Sequence, residues 1–270
     1  MTRHVVEFPQ VDPNLLISSP RIVAVANQKG GVGKTTTVMN LGAALAERGA
    51  QVLIIDLDPQ SNSTSGLGVD PSRARLTVYH LLAGEAGIDE VATPTAVPRL
   101  HLVPSQVALA GAEIELVGQE EREGRLRKAL AALDGGFGYV LIDCPPSLGL
   151  LTLNALAAAD QVLIPLQAEY FALEGLAHLL YTIQLVRMSL NPRLELAGIL
   201  VTQFDARTTL AWDVLNEVRR AYPDKLYQTL IPRNVRISEA SSHGQPVIVY
   251  DPTCRGAQAF RQLAEEVMSR

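Results

Sequence analysis

The chain has 270 residues, of which 47% are hydrophobic and 19% are charged, a composition typical of a folded globular protein and not of a disordered one. It carries 23 Lys and Arg against 28 Asp and Glu, so its formal net charge of −5 excludes a generally basic nucleic-acid binder but not a local basic patch. Its longest apolar runs fall far short of the ~20 residues of a membrane span, and no secretory signal is visible at its start.

Apolar runs and helical patterns alternate along most of the chain. Residues 1–20 contain three prolines and no clear period, so we expect an extended or mobile arm there and a single domain over 21–270. The apolar runs predict strands at 21–27, 51–56, 100–103, 139–143, 161–166, 197–202 and 226–231. The helical patterns lie at 35–48, 106–133, 173–190, 211–222 and 257–268. The alternation predicts an α/β fold with a mostly parallel sheet flanked by helices on both faces.

A glycine-rich loop joins the first predicted strand to the first predicted helix. It consists of Lys29, Gly30, Gly31, Val32, Gly33, Lys34, Thr35 and Thr36. Gln28 stands where the strict phosphate-loop pattern has its first glycine, but the Gly-Lys-Thr spacing is kept. Such a loop can point its N–H groups at phosphate oxygens, next to the positive end of a helix. We therefore expect a P-loop nucleotide site in which Lys34 reaches the β- and γ-phosphates and Thr35 offers its hydroxyl to Mg²⁺.

Three aspartates follow two of the predicted strands. Asp56 and Asp58 lie in DLDPQ, and Asp143 lies in YVLIDCPPS. The carboxyl ends of parallel strands face the crevice in which α/β proteins bind ligands, so these carboxylates are predicted to hold the metal and the attacking water. Each aspartate could instead cap a helix or stabilise a turn, and the prolines after Asp143 keep the turn alternative open there.

The residues of the loop carry a resemblance to a known family. KGGVGKTTT resembles the phosphate loop of the ParA/MinD group of ATPases, whose deviant Walker A motif has an additional early lysine. The resemblance implies that Lys29 reaches across a nucleotide-sandwich dimer to the partner's phosphates. DLDPQ and DCPPS look like the family's switch I and Walker B segments. By this resemblance Asp58 orients the attacking water, and Thr35, Asp56 and Asp143 form the Mg²⁺ site.

The resemblance covers residues 21–270 and is strongest to chromosomal ParA/Soj partition ATPases. It rests on DLDPQSNSTSGLG, LAGAEIEL, DCPPSLGLLTLNAL, QAEYFALEGL and IPRNVRISEASSHGQPVIVYDP. The IPRN segment is similar to the family's adenine-side loop, which implies that Pro232 packs against the base and that Asn234 lies beside it. Arg207 in DART and Arg236 in NVR match positions that bind DNA in the family, whereas Arg219 and Arg220 look like solvated helix residues.

This resemblance implies an ATP hydrolase that uses ATP and Mg²⁺, works in the cytoplasm on the nucleoid, and segregates a chromosome or plasmid. Its ATP-bound homodimer is expected to bind double-stranded DNA without sequence preference, and no membrane partner is expected. A ParB-type centromere-binding protein is expected to stimulate hydrolysis with a basic tail. Glu113, Glu115 and the acidic residues of 120–123 could attract that tail, although 120–123 could equally be a solvated helix face.

Three other classes of protein share parts of this pattern. A MinD-like membrane-cycling ATPase would need a basic amphipathic C-terminal helix, whereas FRQLAEEVMSR is mixed in charge and is predicted to pack. An iron–sulfur reductase of the nitrogenase iron-protein type would need two well-placed cysteines, but Cys144 and Cys254 do not match its cluster ligands. We expect both to be buried, reduced thiols. A metabolic ATP-dependent ligase is only weakly excluded.

Overall fold

The fold is built on a seven-stranded sheet in a computed structural model that describes residues 19–133, 135–169 and 172–270. In chain order the strands are β1 (Arg21–Val25), β2 (Val52–Asp56), β3 (Thr93–Pro94), β4 (Leu100–Val103), β5 (Tyr139–Asp143), β6 (Gln161–Gln167) and β7 (Glu195–Thr202). They lie in the order β3-β4-β2-β5-β1-β6-β7. Neighbouring strands run parallel, except that the short β3 is antiparallel to β4.

Helices connect these strands. In chain order they are α1 (Lys34–Glu47), α2 (Asn62–Gly66), α3 (Val78–Ala83), α4 (Ile88–Val91), α5 (Leu109–Glu115), α6 (Arg125–Leu130), α7 (Leu150–Ala158), α8 (Ala172–Ser189), α9 (Thr209–Ala221), α10 (Val235–Ser242), α11 (Val247–Tyr250) and α12 (Arg255–Ser269). None of the described helices is both long enough and apolar enough to cross a membrane.

Each face of the sheet packs on its own hydrophobic core, because successive strand side chains point to opposite faces. In β2, for example, Leu53 and Ile55 belong to one core, while Val52 and Ile54 belong to the other. The first core also contains apolar residues of α3 and α5 to α9, and the second contains those of α1, α10, α11 and α12. The predicted fold class, a mostly parallel sheet covered on both faces, is confirmed.

The predicted strand at 226–231 is wrong. This segment makes isolated bridges, Ile199 with Leu226 and Phe204 with Pro232, but no continuous strand. The amides of Gln228 and Thr229 instead donate hydrogen bonds of 2.8 and 3.0 Å to the Glu266 carboxylate on α12. This apolar run therefore follows the edge of the sheet without forming a strand, because the amides in the middle of the run donate to the Glu266 side chain and not to β7.

The single helix predicted over 106–133 is also wrong, because α5 and α6 are separate. Between them lie two short 3-10 turns, Leu116–Gly118 and Arg122–Gly124, and Glu121 adopts the left-handed conformation with φ 52°. The side chain of Asn154 on α7 holds this break: it accepts a hydrogen bond from the Leu126 amide and donates one to the Arg122 carbonyl. Most of the predicted N-terminal arm, residues 1–18, lies outside the described residues.

Gly198 gives a test of the packing at the outer strand. A β-carbon on this buried glycine of β7 would lie 2.7 Å from both the Lys225 carbonyl oxygen and the Tyr227 ring. We expect Gly198→Ala to lower the free energy of unfolding by about 1–3 kcal/mol, as overpacking does. The control is Gly175→Ala within α8, where a β-carbon meets nothing within 4 Å and should raise stability by about 0.5–1 kcal/mol. Urea unfolding measures both variants, and equal stabilities would contradict the assigned contacts.

Candidate functional site

The glycine-rich loop has the conformation that its sequence predicts. Gly31 and Gly33 have φ of 76° and 86°, which a residue with a β-carbon adopts only with strain. Gly33 is the N-cap of α1, and its carbonyl accepts a hydrogen bond from the Thr37 amide at 2.8 Å. The loop therefore brings the amino end of a 14-residue helix to the carboxyl edge of the sheet, where backbone N–H groups and the helix dipole favour an anion.

The end of β7 holds this loop from the side. The Thr202 hydroxyl donates to the Val32 carbonyl at 2.7 Å, and the Gln203 side-chain amide donates to the Gly31 carbonyl at 2.6 Å. Both bonds leave the loop N–H groups available, because they use carbonyl oxygens. The loop is thus fixed in shape by a strand that lies more than 160 residues later in the sequence, a contact that local sequence patterns do not reveal.

The two lysines of the loop occupy different environments. Lys34 is only 7% exposed, and its ammonium donates to the Lys29 carbonyl at 3.2 Å. Burial lowers the pKa of Lys34, an effect that nearby Asp143 opposes. The Lys29 side chain is 45% exposed and pairs with Glu169, which follows β6. One lysine is therefore held inside the loop, while the other is half exposed at its mouth and paired with Glu169.

Asp56 and Asp143 lie side by side at the carboxyl ends of β2 and β5, where they are register partners. Both are completely buried. Burial raises the pKa of both carboxyl groups, and the repulsion between them raises that of Asp56 further. This edge of the sheet consequently favours added positive charge. Lys34 supplies part of that charge, and its ammonium lowers the pKa of Asp143.

Hydroxyl groups of α2 donate hydrogen bonds to both carboxylates, and the sequence analysis did not identify them. Asp56 accepts hydrogen bonds from the Thr64 hydroxyl and amide at 2.6 and 2.8 Å, and Asp143 accepts one from the Ser63 hydroxyl at 2.7 Å. The Ser105 amide in turn donates to the Thr64 hydroxyl at 2.9 Å. The signal in the sequence is the NSTS run soon after DLDPQ, since buried acids need nearby donors.

Asp58 is placed by its neighbours at the same edge. Its amide donates to Asp56 at 3.2 Å, its carboxylate accepts from the Gln60 amide at 2.9 Å, and its carbonyl accepts from the Ser105 hydroxyl at 2.8 Å. The structure thus brings the three predicted aspartates together with the loop. The turn interpretation of Asp143 is not favoured, because its carboxylate accepts from Ser63 on α2 and the following prolines have no N–H group to donate to it.

The residues at this edge fit Mg²⁺ that is shared with phosphate oxygens. Asp143 Oδ1 is buried and makes no hydrogen bond, although the Thr35 hydroxyl is near enough to lower the pKa of this carboxyl. The Asp56 oxygens are already occupied by three donors. Among the described residues no cluster of three or more His, Cys, Asp or Glu side chains forms a metal cage. That donor set suits a cation that keeps water and phosphate ligands.

A cavity of about 300 Å³ lies beside the loop. Pro232 and Asn234 line it together with loop and helix residues, namely Gly33, Thr36, Thr37, Thr202, Gln203, Ile231, Arg233, Val235, Ile237, Ser238 and Phe260. The Thr37 hydroxyl is buried there without a hydrogen-bond partner. Asn234 has a structural role that the sequence analysis missed: its side chain caps α10 by accepting from the Arg236 amide at 2.9 Å.

The two arginines proposed for DNA contact lie outside the loop and are exposed. Arg207 forms a two-bond ion pair with Asp205, with distances of 2.8 and 2.7 Å. Arg236, in the first turn of α10, pairs with Glu239 at 2.8 Å and with Asp251 at 3.4 Å. Neither guanidinium points to a described partner in the nucleotide loop. Their role in DNA binding stays a prediction.

Two of the alternative functions fit this structure poorly. The Cys144 thiol is completely buried, and burial raises its pKa. The expectation that Cys254 is also buried is wrong: it is half-buried and caps α12 by accepting from the Ala257 amide at 3.4 Å. Neither is presented as a cluster ligand. The apolar residues of α12, such as Phe260 and Leu263, are buried against the core that contains α1. This helix packs as expected and offers no free apolar face for a membrane surface.

Comparison with known proteins identifies the family. Residues 20–196 match the family model described as an AAA domain. The sporulation initiation inhibitor protein Soj of Bacillus subtilis is 53% identical over 92% of this chain and 98% of its own length. The chromosome partitioning protein ParA of Caulobacter vibrioides is 53% identical over 93% and 94%. A crystal structure of a Mycobacterium smegmatis protein named cobyrinic acid a,c-diamide synthase, with ADP and magnesium, has a TM-score of 0.82, with 42% identity over 92% and 94%.

The family model spans more than half of the chain, and both curated relatives align with nearly all of it. These matches agree with the loop, the aspartates and the sheet order described above. The chain belongs to the ParA/Soj family of chromosome-partitioning ATPases, within the proteins that contain this AAA domain.

Proposed function

We propose that this protein partitions DNA by cycling between an ATP-bound dimer that holds DNA and a state, formed after hydrolysis, that releases it. It is an ATP-hydrolysing P-loop enzyme whose cofactors are ATP and Mg²⁺. The observation that carries the proposal is the difference in burial between the two lysines: Lys34 is buried inside the loop, and Lys29 is exposed at its mouth. A single-subunit phosphate site needs the first lysine but has no evident use for the second.

The chain's own groups have distinct tasks in hydrolysis. Lys34 and the loop amides would hold the β- and γ-phosphates, and Thr35, Asp56 and Asp143 would hold Mg²⁺. When bound, Mg²⁺ neutralises phosphate charge and orients the oxygens. Asp58 orients the attacking water; no strong base is required, because phosphoryl transfer depends mainly on positioning and charge neutralisation. Pro232 and Asn234 contact the adenine from the adjoining cavity.

Lys29 completes the site of the other subunit. In the free chain it pairs with Glu169, so the dimer must exchange this ion pair for the partner's phosphates. An exposed ion pair contributes only about 0–1 kcal/mol, so the exchange costs little. A multiply charged nucleotide attracts the ammonium more strongly than one exposed carboxylate does. Dimerisation therefore depends on the nucleotide that the loop holds.

Non-specific binding of double-stranded DNA follows dimerisation in this proposal. Each subunit contributes Arg207 and Arg236, and two linked weak sites bind more tightly than either alone. A ParB-type centromere-binding protein then stimulates hydrolysis and so releases the DNA. The protein would act in the cytoplasm on the nucleoid, with a chromosome or plasmid as cargo.

The activity in the name of the M. smegmatis neighbour, cobyrinic acid a,c-diamide synthase, is the second candidate. A synthase of that kind would act on cobyrinic acid and would not respond to DNA. The discriminating experiment measures retention of non-specific DNA with ATP and with ADP. Retention in ATP alone supports partition, whereas no retention together with substrate-dependent turnover supports the synthase.

The first test of the mechanism concerns Lys29. We expect Lys29→Ala to keep monomeric ATP binding while losing most ATP-dependent dimerisation, because the partner's phosphates lose their countercharge. Lys128→Ala, which removes an exposed lysine of α6, is the matched control and should dimerise normally. Sedimentation velocity with a slowly hydrolysed ATP analogue provides the measurement. An unimpaired Lys29→Ala dimer would remove this lysine from the shared site.

The second test concerns Asp58. We expect Asp58→Ala to slow hydrolysis by about 10²-fold or more, since a positioned side chain contributes about that much, and to accumulate as the ATP-bound dimer. Single-turnover phosphate release and size measurement report the two effects separately. Asp70→Ala, at an exposed turn, controls for the loss of a carboxylate. A normal hydrolysis rate in Asp58→Ala would transfer the role to Asp56.

The third test concerns the DNA surface. Removing one phosphate contact lowers the slope of log affinity against log salt by about one unit, whatever the DNA sequence. We expect this loss for Arg236→Ala with ATP affinity retained, and no loss for Arg219→Ala, the control on α9. Titrations of labelled duplex at several salt concentrations measure the slope. If Arg236→Ala instead abolishes ATP binding, Arg236 belongs to the cavity that Asn234 and Val235 line.

A further inference from the structure

The helix α5 and the turn after it are apolar on two opposite sides. The buried side carries Leu109, Ala112 and Leu116. The other side carries exposed residues at a spacing of three and four, Val107, Ala110, Ile114 and Val117, which we call the α5 stripe. Ile114 is 78% exposed. Helical spacing places these side chains in one row, and a row of large exposed apolar side chains is typical of a docking surface.

The charge around the α5 stripe is of one sign. Residues 106–121 contain four acidic residues, Glu113, Glu115, Glu120 and Glu121, and no basic residue. Arg122 and Arg125 follow, but their guanidinium groups are engaged: Arg122 with Glu123 and the Val117 carbonyl, Arg125 with Gln119. The stripe thus combines apolar anchors with a negative border. That chemistry fits a basic segment with apolar side chains on one face.

The α5 stripe is linked to the catalytic edge of the sheet. Glu113 on α5 lies 3.5 Å from the Leu151 amide, at the amino end of α7, and next to Gly149. Only a short connection separates α7 from Asp143 at the end of β5. On the other side, Tyr79 of α3 donates to Glu115 at 2.5 Å. The helix that carries the stripe therefore contacts the amino end of α7, the helix that follows the Asp143 segment.

We propose that the α5 stripe is the docking surface for the basic tail of the ParB-type partner, and that docking acts on the site through Glu113 and the start of α7. This proposal rests on the proposed function, in which such a partner stimulates hydrolysis. Apolar side chains of the tail pack against Ile114 and Val117, and its lysines or arginines pair with Glu120 and Glu121. The apolar contacts set the lifetime of the complex, while the acidic border speeds encounter at low salt.

The test uses a labelled peptide, the basic N-terminal tail of the cognate ParB-type protein, and the full chain with ATP and DNA. We expect Ile114→Ser/Val117→Ser to weaken peptide binding by roughly 5- to 30-fold, the range for loss of central apolar anchors. Basal ATP hydrolysis and the melting temperature should remain unchanged, because both side chains are exposed. Met188→Ser, which removes a side chain of 76% exposure on α8, is the matched control and should bind normally.

Two further variants test the charge and the contact with α7. Glu120→Gln/Glu121→Gln should slow peptide association at low salt and match the wild type at high salt. Glu113→Gln should bind the peptide but respond to it with less stimulation. Equal peptide affinity of wild type and the Ile114→Ser/Val117→Ser variant would overturn the proposal, and so would full stimulation of that variant.

The outcomes also distinguish this proposal from the proposed function. If the peptide fails to stimulate even the wild-type chain, the partner mechanism itself is wrong. If the Ile114→Ser/Val117→Ser variant loses ATP-dependent dimerisation without peptide, a second copy of the chain covers the stripe, which overturns the docking proposal and leaves the partition function intact. Stimulation of wild type and Met188→Ser together, with loss in the stripe variant alone, is the result expected.

Discussion

Two fully buried carboxylates, Asp56 and Asp143, lie opposite each other on neighbouring strands. The stability of this pair depends on the donors and the positive charge around it. A buried acid is stable only when donors or positive charge surround it. Here Thr64 and Ser63 donate to the pair, and Lys34 lies close by. Lys34, whose charge offsets that of the acids, is also the lysine proposed to hold the phosphates.

The fold was predictable because its signals are long and periodic. Continuous apolar strands alternating with helices indicate a covered parallel sheet, and the polar residues after each strand indicate the ligand edge. The helix α2 was missed because five residues have no period, although its hydroxyl groups hold the site. The strand predicted at 226–231 was wrong for the opposite reason. Its apolar pattern is typical of a strand, but two of its amides donate hydrogen bonds to Glu266, which is distant in sequence.

The site shows the same division between local and distant information. Gly31, Gly33 and Lys34 form a local motif whose conformation follows from residue type. The bonds from Thr202 and Gln203 to the loop could not be foreseen, because they depend on which strand ends beside it. The pairing of Glu169 with Lys29 could likewise not be predicted, because it depends on the position of β6 beside the loop. Sequence motifs therefore identify the groups proposed to contact the nucleotide, and topology supplies the side chains that hold those groups in place.

Under the proposed function, ATP hydrolysis is slow in the chain alone and faster once the partner has bound. Among the described residues, the buried carboxylate pair accepts four hydrogen bonds from backbone and side-chain donors, although Asp143 Oδ1 is left without one. In this proposal the partner acts instead through a longer, weaker contact. Glu113 makes such a contact, 3.5 Å from the Leu151 amide, between an exposed helix and the segment after Asp143. A stimulus delivered through α5 could shift the start of α7 without disturbing the bonds to Ser63 and Thr64. Stimulation would then adjust the position of catalytic groups while the sheet and the loop keep their shape.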